Sequence, residues 1–287
     1  MAEVASPRTA VRDYYDASTR TFLLSGGDGA IHRELWGPGV TSRREASHHA
    51  HDLLLDQLGP GDRRVLDLGC GVGATALYLA RRRPVDVVGV TISPTQLRLA
   101  ERAAARNGAL QGSVEFALAD FTALPSELRG FDLAFAIESF VHADSAAAFF
   151  GQAAGALRPG GALVIVDDVR TSDRHDPALD EFKAGWHAPS VVTVDEAAAL
   201  AADAGLHLVA SHDLSSLQRL GRRRDRLIRA SLPLLRLLAR RSKWAQSLVG
   251  GDALQRCHRA GLLEYRLLRF ERVAQRTRTD GPATSLP

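Results

Sequence analysis

The chain has 287 residues, 45% of them hydrophobic, which suits one α/β domain with an added cap and excludes a disordered polypeptide. Its formal net charge is only +3, and with Lys183 and Lys243 as the only lysines the positive charge is almost all arginine. No aromatic residues interleave with those arginines as in nucleic-acid modules, two cysteines (Cys70 and Cys257) are too few for a disulfide framework, and there is neither an 18-residue apolar run nor a signal-peptide pattern in Met1–Thr9, so the expected location is cytoplasmic.

Residues 1–61 read as an N-terminal helical cap. It contains Tyr14-Tyr15-Asp16, a glycine-rich turn at Ser25-Gly26-Gly27-Asp28-Gly29, and a helix over Arg44–Leu58. From 62 to 213, short β-branched runs alternate with helical patterns, the signature of a parallel sheet built from βαβ units. Strands are expected at Arg64–Leu68, Val85–Val90, Ser113–Ala119, Phe131–Ile137, Ala162–Val166 and Leu206–Ser211. Helices are expected at Ala74–Arg83, Pro94–Asn107, Ser145–Leu157 and Asp195–Ala204. Ser93-Pro94 offers an N-cap and a first-turn proline, Asn107-Gly108 a stop, and Arg158-Pro159-Gly160-Gly161 a sharp turn. Residues 214–260 read as an arginine-rich helical lid. Residues 261–276 hold a last strand, Leu262–Val273, and 277–287 a loose tail.

The most informative stretch is Val65-Leu66-Asp67-Leu68-Gly69-Cys70-Gly71-Val72-Gly73, a buried strand running into a glycine-rich turn and then a helix. Glycines there let backbone N–H groups approach a ligand closely, and the helix start favours an anionic group. The spacing G-x-G-x-G, followed by Ala74, departs from the dinucleotide fingerprint, the second strand ends in Thr91 rather than an acid, and no Gly-Lys-Ser/Thr tripeptide makes a P-loop. Cys70, inside this turn, reads as a small apolar filler.

Val65–Gly73 resembles motif I of class I S-adenosylmethionine-dependent methyltransferases, and four later segments match in order and distance: Val88-Gly89-Val90-Thr91-Ile92-Ser93-Pro94 with Gln96, Ala119-Asp120-Phe121, Phe131-Asp132-Leu133 to His142, and Leu157-Arg158-Pro159-Gly160-Gly161. The resemblance implies a Rossmann-like α/β fold: a seven-stranded, mostly parallel sheet with an antiparallel last strand. Helical caps would come from the N-terminus and from the segment between the last two strands. It implies S-adenosyl-L-methionine as cofactor, with Gly69 and Gly71 facing the methionine portion, Asp67 fixing the loop, Asp120 accepting from the adenine amino group and Phe121 stacking beside the ring. Thr91 departs from the usual acid; with Ser93 and Gln96 the segment is similar to a subgroup that includes tocopherol-type C-methyltransferases and cyclopropane fatty acid synthases, where Thr and Gln replace the carboxylate with neutral hydrogen bonds. Those bonds are weaker than charge-assisted ones.

Glu138-Ser139-Phe140-Val141-His142 resembles the Glu-Ser-x-x-His segment of the tocopherol and sterol C-methyltransferase subgroup. Ligands of open α/β sheets sit beyond the carboxyl ends of the strands, where the fourth strand delivers Glu138, Phe140 and His142 and the fifth delivers Asp167 and Asp168. Methyl transfer asks mainly for alignment in a dry cavity, and a base is needed only where the acceptor sheds a proton, so His142, Glu138, Asp167 and Asp168 are the candidate catalytic groups. Glu138 could equally support the cofactor pocket. Tyr14, Tyr15 and Trp36 resemble the cap of small-molecule methyltransferases, with Tyr15 closing over the methionine end and Tyr14 and Trp36 toward the acceptor. Arg222 and Arg224, ahead of the leucine-rich Leu232–Leu238, are a solvated lid face, a site for an anionic acceptor, or part of an amphipathic membrane-surface helix. The expected acceptor is a small hydrophobic molecule such as a prenyl diphosphate, which would bring Mg²⁺ with it; O- or N-methylation of a polyketide, amino acid or alkaloid is the alternative. A homodimer is compatible with this reading, and a nucleic-acid or integral membrane partner is not. Ser47-His48-His49-Ala50-His51 reads as a solvated helix face rather than a metal site.

Overall fold

The computed structural model describes residues 9, 11–16, 19, 32–239 and 242–273. The glycine-rich turn at Ser25–Gly29 and the tail from Thr277 lie outside them.

A seven-stranded sheet of order β3-β2-β1-β4-β5-β7-β6 forms the centre. Its strands are β1 (Arg64–Leu68), β2 (Asp86–Thr91), β3 (Ser113–Leu118), β4 (Phe131–Ile137), β5 (Leu157–Arg170), β6 (Leu206–Asp213) and β7 (Leu263–Arg272). The first five pair in parallel, and β7 inserts antiparallel between β5 and β6. Strand side chains alternate between two buried faces. Val65, Leu133 and Phe135 pack beneath α1 (Arg43–Leu55) and α2 (Ala74–Arg82), while Leu66, Leu68, Ala134 and Ala136 face α4 (Ala146–Ala156) and α6 (Val194–Asp203). The chain order reverses between β1 and β4. A crevice opens there at their carboxyl ends, as strand topology requires.

The helices start where capping chemistry dictates. Ser93 caps α3 (Pro94–Arg106), its hydroxyl accepting from the Gln96 N–H at 3.1 Å. Ser42 and Glu45 form a capping box at α1, which ends at Leu55, short of the expected Leu58. Asp176 followed by Pro177 starts α5 (Pro177–Trp186), a helix absent from the sequence reading although its start signal is of the same kind as Ser93-Pro94. That helix ends at His187 in the left-handed region (φ 53°) and crosses α9 (Lys243–Arg259) closely: a Cβ on Gly185 would lie 2.5 Å from Gly250 Cα.

Arg158-Pro159-Gly160-Gly161, expected as a turn before the fifth strand, lies within β5. Leu157 pairs with Phe131 and Ala162 with Leu133, so the intervening residues bulge out of register around Gly160 (φ 76°). The lid segment supplies α7 (Arg223–Ala230), α8 (Leu232–Ala239) and α9. No helix among the described residues is long and apolar enough to cross a membrane.

Candidate functional site

The floor of the crevice is set by backbone conformation. Gly69 (φ 100°) and Gly71 (φ 53°) take left-handed angles, and the N–H groups of Gly69 and Cys70 both donate to the Val90 carbonyl at 3.0 and 2.9 Å. A Cβ on Gly69 would lie 2.5 Å from Ser139 Cβ, so only glycine fits at this angle and this approach. Ser139 in turn donates to the Leu68 carbonyl at 2.6 Å, tying the β1 and β4 loops together. Asp67 lines the crevice, but its buried Oδ2 has no partner, and burial pushes its carboxyl well above the usual range. The resemblance implies that Asp67 fixes the loop; among the described residues the hydrogen bonds that hold it come from backbone groups and Ser139.

Thr91 and Gln96 line the crevice beside it, the Thr91 hydroxyl donating to Gln96 Oε1 at 2.8 Å. Ser93 does not join them. It is fully buried and spends its hydroxyl capping α3 and bonding to Asp16. Asp120 and Phe121 form the next wall; Asp120 Oδ1 accepts from the Thr122 N–H and hydroxyl at 2.8 and 2.7 Å, and Phe121 packs edge-on against Phe149. Cys70 is buried against Gly89, and burial raises its thiol, in keeping with a filler.

The roof is held by side chains from distant parts of the chain, gathered on Arg33. Its guanidinium grips both Asp168 oxygens at 3.0 and 2.7 Å and reaches Glu138 Oε1 at 3.1 Å, while lying over the Tyr265 ring. Glu138, itself left-handed at φ 50°, also accepts from the Arg33 N–H and from the Tyr265 hydroxyl. His258 adds a contact to Asp168 at 2.8 Å. Burial opposes ionisation of Asp168, but Arg33 and His258 outweigh it and hold its carboxyl at about 2. Asp168 is therefore a committed anion, and both Asp168 and Glu138 anchor Arg33 through hydrogen bonds. No motif in the sequence marks Arg33 or His258. Their only signal there is indirect: three acids at two strand ends (Glu138, Asp167, Asp168) require a cation that the motif itself lacks.

Asp167 is different. It accepts from the Val141 and Asp168 N–H groups, and burial, reinforced by the Asp168 charge, pushes its carboxyl up. His142 Nδ1 lies 3.1 Å from the His187 carbonyl, which can only accept, so the ring hydrogen sits on Nδ1. Nε2 then offers its lone pair, 2.8 Å from the Tyr15 hydroxyl. Burial lowers the His142 pKa and keeps the ring neutral. Tyr14 packs edge-on against Tyr15 and His187, so both tyrosines line the crevice.

A second compartment of about 350 Å³ shares Tyr14, His32, Arg33, Glu138 and Trp186 with the crevice and extends under the lid. Arg43, Arg219, Arg222 and Arg224 line it with Leu220, Ile228 and Leu248. Arg222 is tied to Glu34 at 2.8 Å, and Arg43 to the same carboxylate at 2.6 Å. Two expected acceptor contacts are absent from both compartments. Phe140 is fully buried against Phe149 and Phe150, and Trp36 packs under the Arg219 guanidinium. The histidine run is not a solvated face either: His51 is buried, 2.6 Å from His32, and packs on Tyr78. Among the described residues no cluster of three or more ligating side chains is arranged for a metal ion.

Residues 65–161 match the family model described as "Methyltransferase domain". The methyltransferase GfsG of Streptomyces halstedii is 34% identical over 211 residues, covering 71% of this chain and 75% of that protein. An O-methyltransferase of Pyrenophora dematioidea is 32% identical, covering 75% of this chain and 82% of its own. A sterol 24-C-methyltransferase of Neurospora crassa is 28% identical, and this chain, matched over 72% of its length, spans 56% of it. Among solved structures, a geranyl diphosphate methyltransferase in complex with GPP and sinefungin superposes with a TM-score of 0.73 at 20% identity, covering 93% of this chain and 100% of that one, which shows a shared fold. With its sheet order, its glycine turn and these relatives together, the chain belongs to the class I S-adenosylmethionine-dependent methyltransferases.

Proposed function

We propose that the protein methylates a small hydrophobic acceptor of specialised metabolism, and that the acceptor is a carbon of an isoprenoid such as a prenyl diphosphate. The observation that carries this reading is the continuity of the two compartments: a crevice with a glycine turn shares its wall with a chamber in which Leu220, Ile228, Leu248 and Leu254 stand among arginines and carboxylates.

The crevice residues fit S-adenosylmethionine. The unpartnered Asp67 Oδ2 suits the methionine ammonium, and the turn at Gly69 and Gly71 leaves no Cβ in the way. Thr91 and Gln96 suit the ribose hydroxyls, Asp120 and Phe121 the adenine, and Tyr15 the methionine end. When bound, the cofactor supplies an electrophilic methyl group on a sulfonium.

An alkene carbon that gains a methyl group must shed a proton. With Glu138 and Asp168 committed to Arg33, and Asp167 pushed toward its protonated form, His142 is the base: its Nε2 is neutral, oriented by His187 and in contact with the Tyr15 hydroxyl. The proton reaches Nε2 directly or through that hydroxyl, which passes its own hydrogen on as it takes another. Arg224, which lines the chamber with no carboxylate partner among the described residues, suits a diphosphate, and Mg²⁺ would arrive with that group.

A second reading is O-methylation of a polyketide-type hydroxyl. Two observations favour it: Arg222 is already neutralised by Glu34, and relatives of 32–34% identity include an O-methyltransferase. Transfer of labelled methyl into prenyl diphosphates, with and without Mg²⁺, against hydroxylated polyketides separates the two. Label in the diphosphates that falls in the Arg224→Ala variant supports the first. Undiminished transfer in an Arg222→Ala/Arg224→Ala double variant removes the anionic acceptor. In either case His142→Gln should lower kcat by roughly 10²–10⁴-fold with S-adenosylhomocysteine affinity unchanged. An unaltered kcat would remove His142 as base.

A further inference from the structure

The lid carries a surface that the methyl-transfer site does not use. On α8, Leu234, Leu237 and Leu238 follow the i, i+3, i+4 spacing of one helical face and are 60%, 65% and 46% exposed. The opposite side is anchored, with Leu232 and Leu235 buried against Ala245 and Val249 of α9. Leu227 on α7 and Trp244 at the start of α9 extend the apolar exposure, at 71% and 54%. Isolated exposed leucines are ordinary; five large apolar side chains on three consecutive helices need a reason.

The charge around them has one sign. Arg223 and Arg226 share the face of α7 that carries Leu227, and Lys243 stands beside Trp244; all are exposed. The acids in and beside the lid are engaged elsewhere. Glu181 is bound to Arg236 and Arg256, Asp252 to Arg229 and Arg256, and Asp225 accepts from the Arg222 N–H at the start of α7. Among the described residues no carboxylate pairs with Arg223, Arg226 or Lys243, so the rim is left net positive.

Exposed leucines on consecutive lid helices, accompanied by a tryptophan and by cations without carboxylate partners, match the interface of an anionic bilayer, where leucines enter the acyl boundary and arginines meet headgroup phosphates. A second copy of this chain fits poorly, because a two-fold contact would set the basic rim against itself. We propose that α7, α8 and the start of α9 dock the enzyme on an anionic lipid surface. The same helices supply Arg224, Ile228 and Leu248 to the wall of the second compartment, so a lipophilic acceptor dissolved in that bilayer would meet its entrance.

The test is co-sedimentation of the full chain with vesicles of phosphatidylcholine alone and of phosphatidylcholine mixed with phosphatidylglycerol. The expected result is binding to the mixed vesicles only, lost at high salt. An Arg223→Glu/Arg226→Glu variant should bind at least about ten-fold more weakly. Leu234→Glu/Leu237→Glu should do the same through the apolar face. Unchanged S-adenosylhomocysteine affinity and circular dichroism show that both variants are folded. Equal binding to neutral and anionic vesicles, or none to either, overturns the proposal. So does absence of vesicle binding together with a dimer that Leu234→Glu/Leu237→Glu converts to a monomer, which assigns the face to self-association.

Discussion

The crevice has a floor and a roof, and they are held by different forces. On the floor, the turn at Gly69–Gly73 is fixed by left-handed glycines and by two N–H groups sharing the Val90 carbonyl, all supplied by neighbouring βαβ units. On the roof, Arg33 reaches carboxylates 105 and 135 positions away, and Tyr15 meets His142 across 127. Backbone conformation fixes a surface that tolerates changed side chains, glycines excepted. A roof hung on one guanidinium concentrates its stability in a single residue.

Removing that residue should give the largest effect. Breaking a buried ion pair by deleting one partner costs about 3–5 kcal/mol, because the remaining charge is stranded. Arg33 keeps some exposure, 18% of its side chain, and Asp168 keeps His258, so Arg33→Ala should lose about 3 kcal/mol, at the lower end of that range. The half-exposed Arg222–Glu34 pair gives the contrast: Arg222→Ala should lose less than about 1 kcal/mol. Urea unfolding of the two variants checks this. Equal, small losses would mean that the roof is no more cohesive than the surface.

This division also decides what the sequence makes legible. The floor carries local signatures: a β-branched run, glycines at fixed offsets, Ser93-Pro94 at a helix start. Each of these is a constraint between near neighbours, so the strands, the crevice, and Asp67, Thr91, Gln96, Asp120 and Phe121 along it can be read in order. Arg33 has no such mark. It is one of many arginines in the chain, and only the folded sheet shows which one sits above Glu138 and Asp168. Phe140 and Trp36 mislead for a related reason, since an aromatic residue near a motif can be core or can stack under an arginine, and spacing does not distinguish these from facing a ligand. Ser93 has the residue type a ribose would want, yet the helix start takes its hydroxyl first.

On the floor, the residue that corresponds to Arg33, at lower energetic weight, is Asp67. Asp67 is buried with an unpartnered oxygen, and its folded pKa is raised above the ordinary 3.8. A raised value means that its contribution to stability is present below the unfolded pKa and lost as pH rises through the folded one. At neutral pH it therefore weakens the ligand-free protein. Asp67→Asn should stabilise the ligand-free chain by roughly 1 kcal/mol and weaken S-adenosylhomocysteine binding by roughly 1–3 kcal/mol, since a charge-assisted partner is removed. Thermal melts with and without that ligand measure both. A ligand-free variant that melts lower would restore to Asp67 the loop-fixing part that its hydrogen bonds do not show.

The smallest effect should come where His32, the neighbour of Arg33, meets α1. His32 Nδ1 lies 3.2 Å from the Arg33 carbonyl, which can only accept, so that nitrogen carries the hydrogen and Nε2 accepts from His51. His51 Nδ1 is left buried without a partner. Burial lowers both pKa values, and for His51 the neighbouring His32, His48 and Arg82 lower it further. Depressed values give stability that is complete above the unfolded pKa of 6.5 and is lost as pH falls through that value toward the folded ones. The paired Asp168, held at about 2, contributes nothing to that window. Below pH 6.5 the two rings should remove stability at up to about 1.4 kcal/mol per pH unit for each ring, while the raised carboxyls of Asp67 and Asp167 act in the opposite sense, so the histidines are read from the difference between variants. His51→Gln keeps a donor for His32 and removes one titration, so its stability between about pH 6.5 and 5 should fall less steeply by that amount. Matching slopes in the two proteins would place the acid sensitivity elsewhere, with buried His142 the next group to replace.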